Sequence, residues 1–245
     1  MKVRLTFTAI LLLTILGFAS CSLVRGKPGP NSEVPRPDQV LDSKLLFAQN
    51  CAGCHGAEGK DGPALDLSNP VYLALVSDET LRTTISQGRP GTAMSAFARQ
   101  AGGMLTEQQI GAIVSGIRAR WGTQGVVAGT NPPPYASVLR GDPNRGRAAY
   151  ATFCAACHGV DDKGGPKAGS VTNRAYLNLI SDQGLRTIVI AGRPDFQAPD
   201  WRGDVPGRPM TDQEVTDVVA WLAEQRSHNP LALFPANSSV SGGVR

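Results

Sequence analysis

Cys51-Ala52-Gly53-Cys54-His55 and Cys154-Ala155-Ala156-Cys157-His158 recur 103 positions apart in a chain of 245 residues, and everything else is read outward from them. Two thiols three positions apart share one helical turn, so both can add to the vinyl groups of one porphyrin. The His that follows is then held beneath the iron. C-x-x-C-H is the attachment signature of a covalent c-type haem. A zinc half-site or a thioredoxin-like redox pair also uses C-x-x-C. Zinc, however, asks for a second ligand pair close by in one domain, and a redox pair has no use for the adjoining His. The expectation is two covalently bound haem c groups, one on Cys51, Cys54 and His55 and one on Cys154, Cys157 and His158.

Four of the five cysteines are taken by these motifs, which leaves Cys21. Ahead of it, Lys2 and Arg4 precede an apolar run from Leu5 to Phe18, the layout of a secretory signal and short for a membrane-spanning helix. Phe18-Ala19-Ser20-Cys21 resembles the lipobox of bacterial lipoproteins, with Phe18 in place of the usual aliphatic residue. Residues 1–21 are therefore read as a lipoprotein signal, and Cys21 as the lipidated residue that anchors the chain to a membrane at the periplasmic face of a bacterial cell envelope. The alternative is cleavage after Ala19 or Ser20, which leaves Cys21 a stray thiol in an oxidising compartment.

Charge excludes one class of partner. Without Lys2 and Arg4 the formal net charge of +4 falls to +2, which supports no nucleic-acid partner. Residues 22–42, rich in Pro and Gly, read as an extended tether able to span ~60 Å.

The body is an internal repeat. Residues 69–90 and 173–194 agree at twelve of twenty-two positions at an offset of 104, so a one-residue length difference falls between Pro63 and Asn69. Each half opens with a helix running into its motif, Ser43 to Asn50 and Gly146 to Phe153. Ser77 and Ser181 are N-cap candidates for a second helix, and Thr106 and Thr211 open capping boxes for a third. Ile110, Ile113, Val114, Ile117 and Trp121, and Val215, Val218, Val219 and Leu222, follow at helical spacing. The expected organisation is all-α: domain 1 over 43–122, a linker over 123–143, domain 2 over 144–228 and a loose tail over 229–245.

This pattern resembles the class I cytochrome c family over nearly the whole mature chain, as two tandem cytochrome c-like domains. The resemblance implies a few helices around each haem, a loop Met on the far side of the iron, and a loop Pro carbonyl that accepts a hydrogen bond from the proximal His. The Pro role falls to Pro63 and Pro166, for which a plain turn is the alternative. The ligand loop of the first half is Gly91-Thr92-Ala93-Met94-Ser95-Ala96-Phe97, which places Met94 on the iron and Met104 in the apolar slot before the last helix. In the second half the repeat puts Ala198 at the Met94 position. Met210 is then either the metal ligand or an apolar residue seated like Leu105; without a ligand the second haem is five-coordinate or binds water. The one remaining His is His228. Arg82, Arg89, Arg186 and Arg193 recur at equivalent places, as propionate contacts or as a solvated helix face.

These features point to a carrier of single electrons with no catalytic residues. Its expected partners are membrane redox complexes, a quinol-oxidising complex as donor and a terminal oxidase or reaction centre as acceptor. The alternatives are a peroxidase-like dihaem oxidoreductase that uses an open second haem, and the haem subunit of a dehydrogenase. Against the peroxidase stands the stretch from Ala198 to Thr211, which has acids and arginines but no His to serve as a distal base.

Overall fold

The computed structural model describes residues 34–160, 163–203 and 205–226. The signal, Cys21, most of the tether, and the tail with His228 lie outside the described residues. Of the unit that ends at Val40, residues 34–40 are described, with a 3₁₀ turn over Pro37–Gln39. The body begins at Leu41 and holds both halves of the repeat. It is helical, with no strand among the described residues.

In the first half, α1 (Ser43–Asn50) is capped by Asp42, whose carboxylate accepts from the Leu45 amide, and leads at Cys51 into the single turn α2 (Ala52–His55). Next come α3 (Pro70–Leu75), α4 (Asp78–Gln87) and α5 (Glu107–Trp121). The Thr106 capping box is formed with Gln109. Ile110, Ile113, Val114 and Ile117 form the buried stripe of α5 and share one core with Leu46 and Phe47 of α1. Burying each of these side chains contributes roughly 1.5–3 kcal/mol. Phe47 meets Trp121 edge-on at 5.2 Å between ring centroids.

The second half repeats the order with α6 (Pro143–Phe153), α7 (Ala155–His158), α8 (Arg174–Leu177), α9 (Asp182–Ala191) and α10 (Asp212–Glu224). Its opening helix starts at Pro143 rather than Gly146, because Asp142 caps it by accepting from the Asn144 and Arg145 amides and Pro143 fits the first turn. The short helices α3 and α8 went unread in the sequence. Each is capped by the repeated Asn, Asn69 or Asn173.

The crossing of α6 and α10 is close. A Cβ on Gly146 would stand 2.0 Å from the Asp217 carbonyl oxygen, so only glycine fits there. Asp217 is buried and ties the pair together. It accepts from the Asp142 amide at 2.7 Å, from Arg145 Nε at 2.8 Å and from Gln213 Nε2 at 2.9 Å.

The linker is strapped to both halves at Tyr135. Its hydroxyl accepts from Arg89 at 2.8 Å, and its carbonyl accepts from Gln183 at 2.7 Å. Arg186, buried in α9, donates to the Pro134 carbonyl and to Thr216, and pairs with Asp212. Of the two readings of the repeated arginines, propionate contact or solvated face, the solvated face does not hold for Arg186 and Arg193, which are both buried and bonded to protein groups. No described helix is long and apolar enough to cross a membrane.

Candidate haem sites

At both motifs the first Cys closes the opening helix and the second lies on the turn that ends in His. The amide of Cys51 donates to the Phe47 carbonyl and that of Cys154 to the Tyr150 carbonyl, which continues each helix into its motif. Burial, with a smaller push from the neighbouring thiol, raises the Cys51 and Cys154 thiols to about 11. A disulfide-exchange pair needs the opposite, a lowered thiol. Two thiols one turn apart, the first of each pair half-buried and held neutral, suit addition to porphyrin vinyl groups instead.

The histidines settle their own tautomer. His55 Nδ1 lies 2.7 Å from the Leu65 carbonyl oxygen, and His158 Nδ1 lies 2.6 Å from that of Gly169. A carbonyl only accepts, so Nδ1 carries the proton and Nε2 keeps its lone pair for a metal. Burial chiefly, and the nearby Arg193 charge secondarily, push His55 below the usual imidazole range, although its bond to Leu65 opposes them. The ring is thus held in the neutral form that iron requires.

These partners differ from the prolines expected. Gly62 and Gly165 approach the backbone of Cys54 and Cys157 so closely that a Cβ would fall 2.3 Å from either carbonyl oxygen. The loop then turns back, and the amides of Ala64 and Ala168 donate to those same two carbonyls. The next carbonyl along, on Leu65 or Gly169, is the one that reaches the imidazole. Lys167, with no counterpart between Pro63 and Ala64, is the extra residue of the second half.

In the loop expected to supply the second ligand, the Arg89 amide donates to the Met94 carbonyl at 2.9 Å, and the Arg193 amide of the second half donates to the Ala198 carbonyl at 3.0 Å. Ala198 therefore occupies the place that Met94 has in the first half. Met94 is half-buried and packs against the core, whereas Met104 is 80% exposed. The apolar slot expected for Met104 is filled by Leu105, whose amide donates to the Phe97 carbonyl at 2.8 Å. Met210 is buried with the same pattern, its amide donating to the Trp201 carbonyl at 2.8 Å. Trp201, 1% exposed, is the largest fully buried side chain of the second half; its single occurrence in the repeat gave no signal in the sequence.

The donor set fits haem c at both motifs: two thiols on one turn, and an imidazole whose Nδ1 is bonded to a backbone carbonyl so that Nε2 is left for a metal. Cys51, Cys54 and His55 would hold one haem, and Cys154, Cys157 and His158 the other.

Comparison with known proteins agrees. The family described as Cytochrome c matches residues 143–226, and that described as Cytochrome C oxidase, cbb3-type, subunit III matches residues 38–115. The Cbb3-type cytochrome c oxidase subunit CcoP of Rubrivivax gelatinosus is 27% identical over 65% of this chain and 48% of its own length. The CcoP subunit of Azospirillum sp. (strain B510) is 30% identical over 53% of this chain and 43% of its own length. The chain thus spans about half the length of the curated relatives it matches. A solved chain of the Kuenenia stuttgartiensis reducing HAO-like protein complex Kustc0457/Kustc0458 is 18% identical with a TM-score of 0.46, covering 79% of this chain and 100% of that one, a likeness too distant to bear on function.

Proposed function

Since the chain is a class I c-type cytochrome, two such domains in tandem with two haems c, we propose that it relays single electrons between redox complexes of a bacterial envelope, with a cbb3-type terminal oxidase as acceptor. Haem iron supplies a one-electron couple when bound. The protein's part is to hold each proximal imidazole in one tautomer and orientation, so that little moves when the charge changes. The observation that carries this reading is the pair of His-to-carbonyl bonds, at 2.7 and 2.6 Å, built alike in both halves.

Met94 is proposed as the second side chain that would hold the first haem together with His55, supplying a thioether that favours the reduced state. For Met210, burial and an amide hydrogen bond to Trp201 that matches the one from Leu105 to Phe97 support the packing role rather than ligation. The second haem then lacks a thioether partner, since Ala198 stands where Met94 does. Turnover of peroxide there would need a distal base, and the three histidines of the chain are His55, His158 and His228. Acylation of Cys21 would keep the carrier close to its membrane partners. Labelling cells with a fatty acid tests this, with incorporation expected in the parent chain and lost in Cys21→Ser.

The function is tested by mixing reduced holoprotein with membranes containing or lacking a cbb3-type oxidase. Reoxidation that requires the oxidase and oxygen is expected. Turnover of peroxide by the purified chain with reductant, and no oxidase-dependent reoxidation, would favour the peroxidase reading instead.

A further inference from the structure

The loop that carries Ala198 at the distal position of the second site reaches back to the proximal loop of the first. Arg193 Nη2 donates to the Gly62 carbonyl at 3.1 Å and Nη1 to the Ala64 carbonyl at 3.1 Å. Asp195 Oδ2 accepts from the Asp61 amide at 3.2 Å and from Arg193 Nη2 at 2.6 Å. Leu65, next in line, supplies the carbonyl bonded to His55. Over five consecutive residues the first loop is thus gripped at three points by the second domain, and at its end it grips the imidazole.

The grip is buried and charged. The Arg193 side chain is 9% exposed and that of Asp195 is fully covered. The Arg193 guanidinium also lies over the Phe196 ring, 4.5 Å from its centroid. The repeat shows this to be a feature of the second half alone: the residue matching Asp195 is Gly91, and the matching Arg89 bonds Tyr135 and Thr84.

We propose that Arg193 and Asp195 hold the loop of the first haem's proximal ligand with two opposed charges, and that through these charges the second domain sets the first domain's reduction potential. The inference rests on the dihaem reading and adds a direction of control. Two carbonyls turned toward Arg193 leave the Leu65 carbonyl aimed at Nδ1. The pair also places two opposite charges near His55, close to neutral together but not singly. A positive charge near the iron favours the ferrous state and a negative one the ferric state.

The test uses the full-length holoprotein in a spectropotentiometric titration, with the first haem's wave identified by NMR through the haem resonances next to the Cys51 and Cys54 links. Asp195→Asn leaves Arg193 uncompensated, so the first wave is expected to move to higher potential. Arg193→Gln leaves a buried carboxylate, so the same wave is expected to move to lower potential. Arg193→Lys keeps the charge and should recover most of that loss. Tyr135→Phe removes the Arg89 hydrogen bond without touching the grip, and should leave the wave in place. A purely structural latch would shift the first wave the same way in both Asp195→Asn and Arg193→Gln. That outcome, no shift in either, or an equal shift in Tyr135→Phe overturns the proposal. A pyridine haemochrome assay on each variant keeps the two readings apart: two haems per chain with no opposed shifts sinks this inference alone, and missing haem in the parent protein sinks the reading beneath it.

Discussion

At the residue scale the two halves are alike on the proximal side and unlike on the distal side. Met94→Ala is expected to abolish the weak absorption band near the red end that reports iron–thioether bonding, and to lower the first haem's potential; an unchanged band rejects Met94 as ligand. Ala198→Met places a thioether at the repeat-equivalent position and should roughly double that band while slowing carbon monoxide binding to the reduced protein. Met210→Leu should leave both titration waves where they are and cost less than about 1.5 kcal/mol, the usual cost of a volume-conserving swap. The motifs and the correspondence of Ala198 with Met94 could be read from spacing and repeat offset. Leu65 and Gly169 could not, because the identity of a residue that offers only its carbonyl carries no signal. The Gly-Pro pair ends eight residues after each His and points to the proline, whereas the carbonyl that bonds lies ten residues on in the first half and eleven in the second, so the constant offset misleads.

At the element scale, the crossing of the first and last helices of each half carries the stability. Gly146→Ala is expected to destabilise the second half by about 1–3 kcal/mol, since the obstructing atoms belong to the Asp217 backbone and cannot swing away. Differential scanning calorimetry reads this as a lower transition temperature. Asp217 and Asp195 give the fold its pH dependence. Burial alone would raise the Asp217 carboxyl, yet its bonds from Arg145, the Asp142 amide and Gln213 hold it below the usual range. The Arg193 hydrogen bond, joined by the Asp61 amide, holds Asp195 low as well. Both folded values lie below the unfolded one of about 3.9. Their contribution is therefore complete above about pH 4 and is lost as pH falls through the folded values. Acid titration followed by helical circular dichroism should show this loss in the parent and a flatter acid limb in Asp217→Asn. The capping boxes and apolar stripes of α5 and α10 were legible because 3.6-residue periodicity repeats over three turns or more. The short helices α3 and α8 offer too few residues for a period, and only their shared Asn cap marks them.

At the scale of the whole molecule, an internal duplication has been turned into two unequal sites joined face to loop. Twelve matching positions in twenty-two showed the duplication, but its asymmetry lies in contacts 122 to 134 residues apart, such as Asn69 with the Ala191 carbonyl and Asp61 with Asp195, beyond any local pattern. The resulting chain offers two irons, one in each domain, within a single packed body. The most direct test of that account is a redox titration of the purified protein with spectra in both states. Two separate one-electron waves, with a pyridine haemochrome yield of two haems per polypeptide, are predicted. A mass equal to the bare chain, or a sample that takes up no electrons, would contradict it.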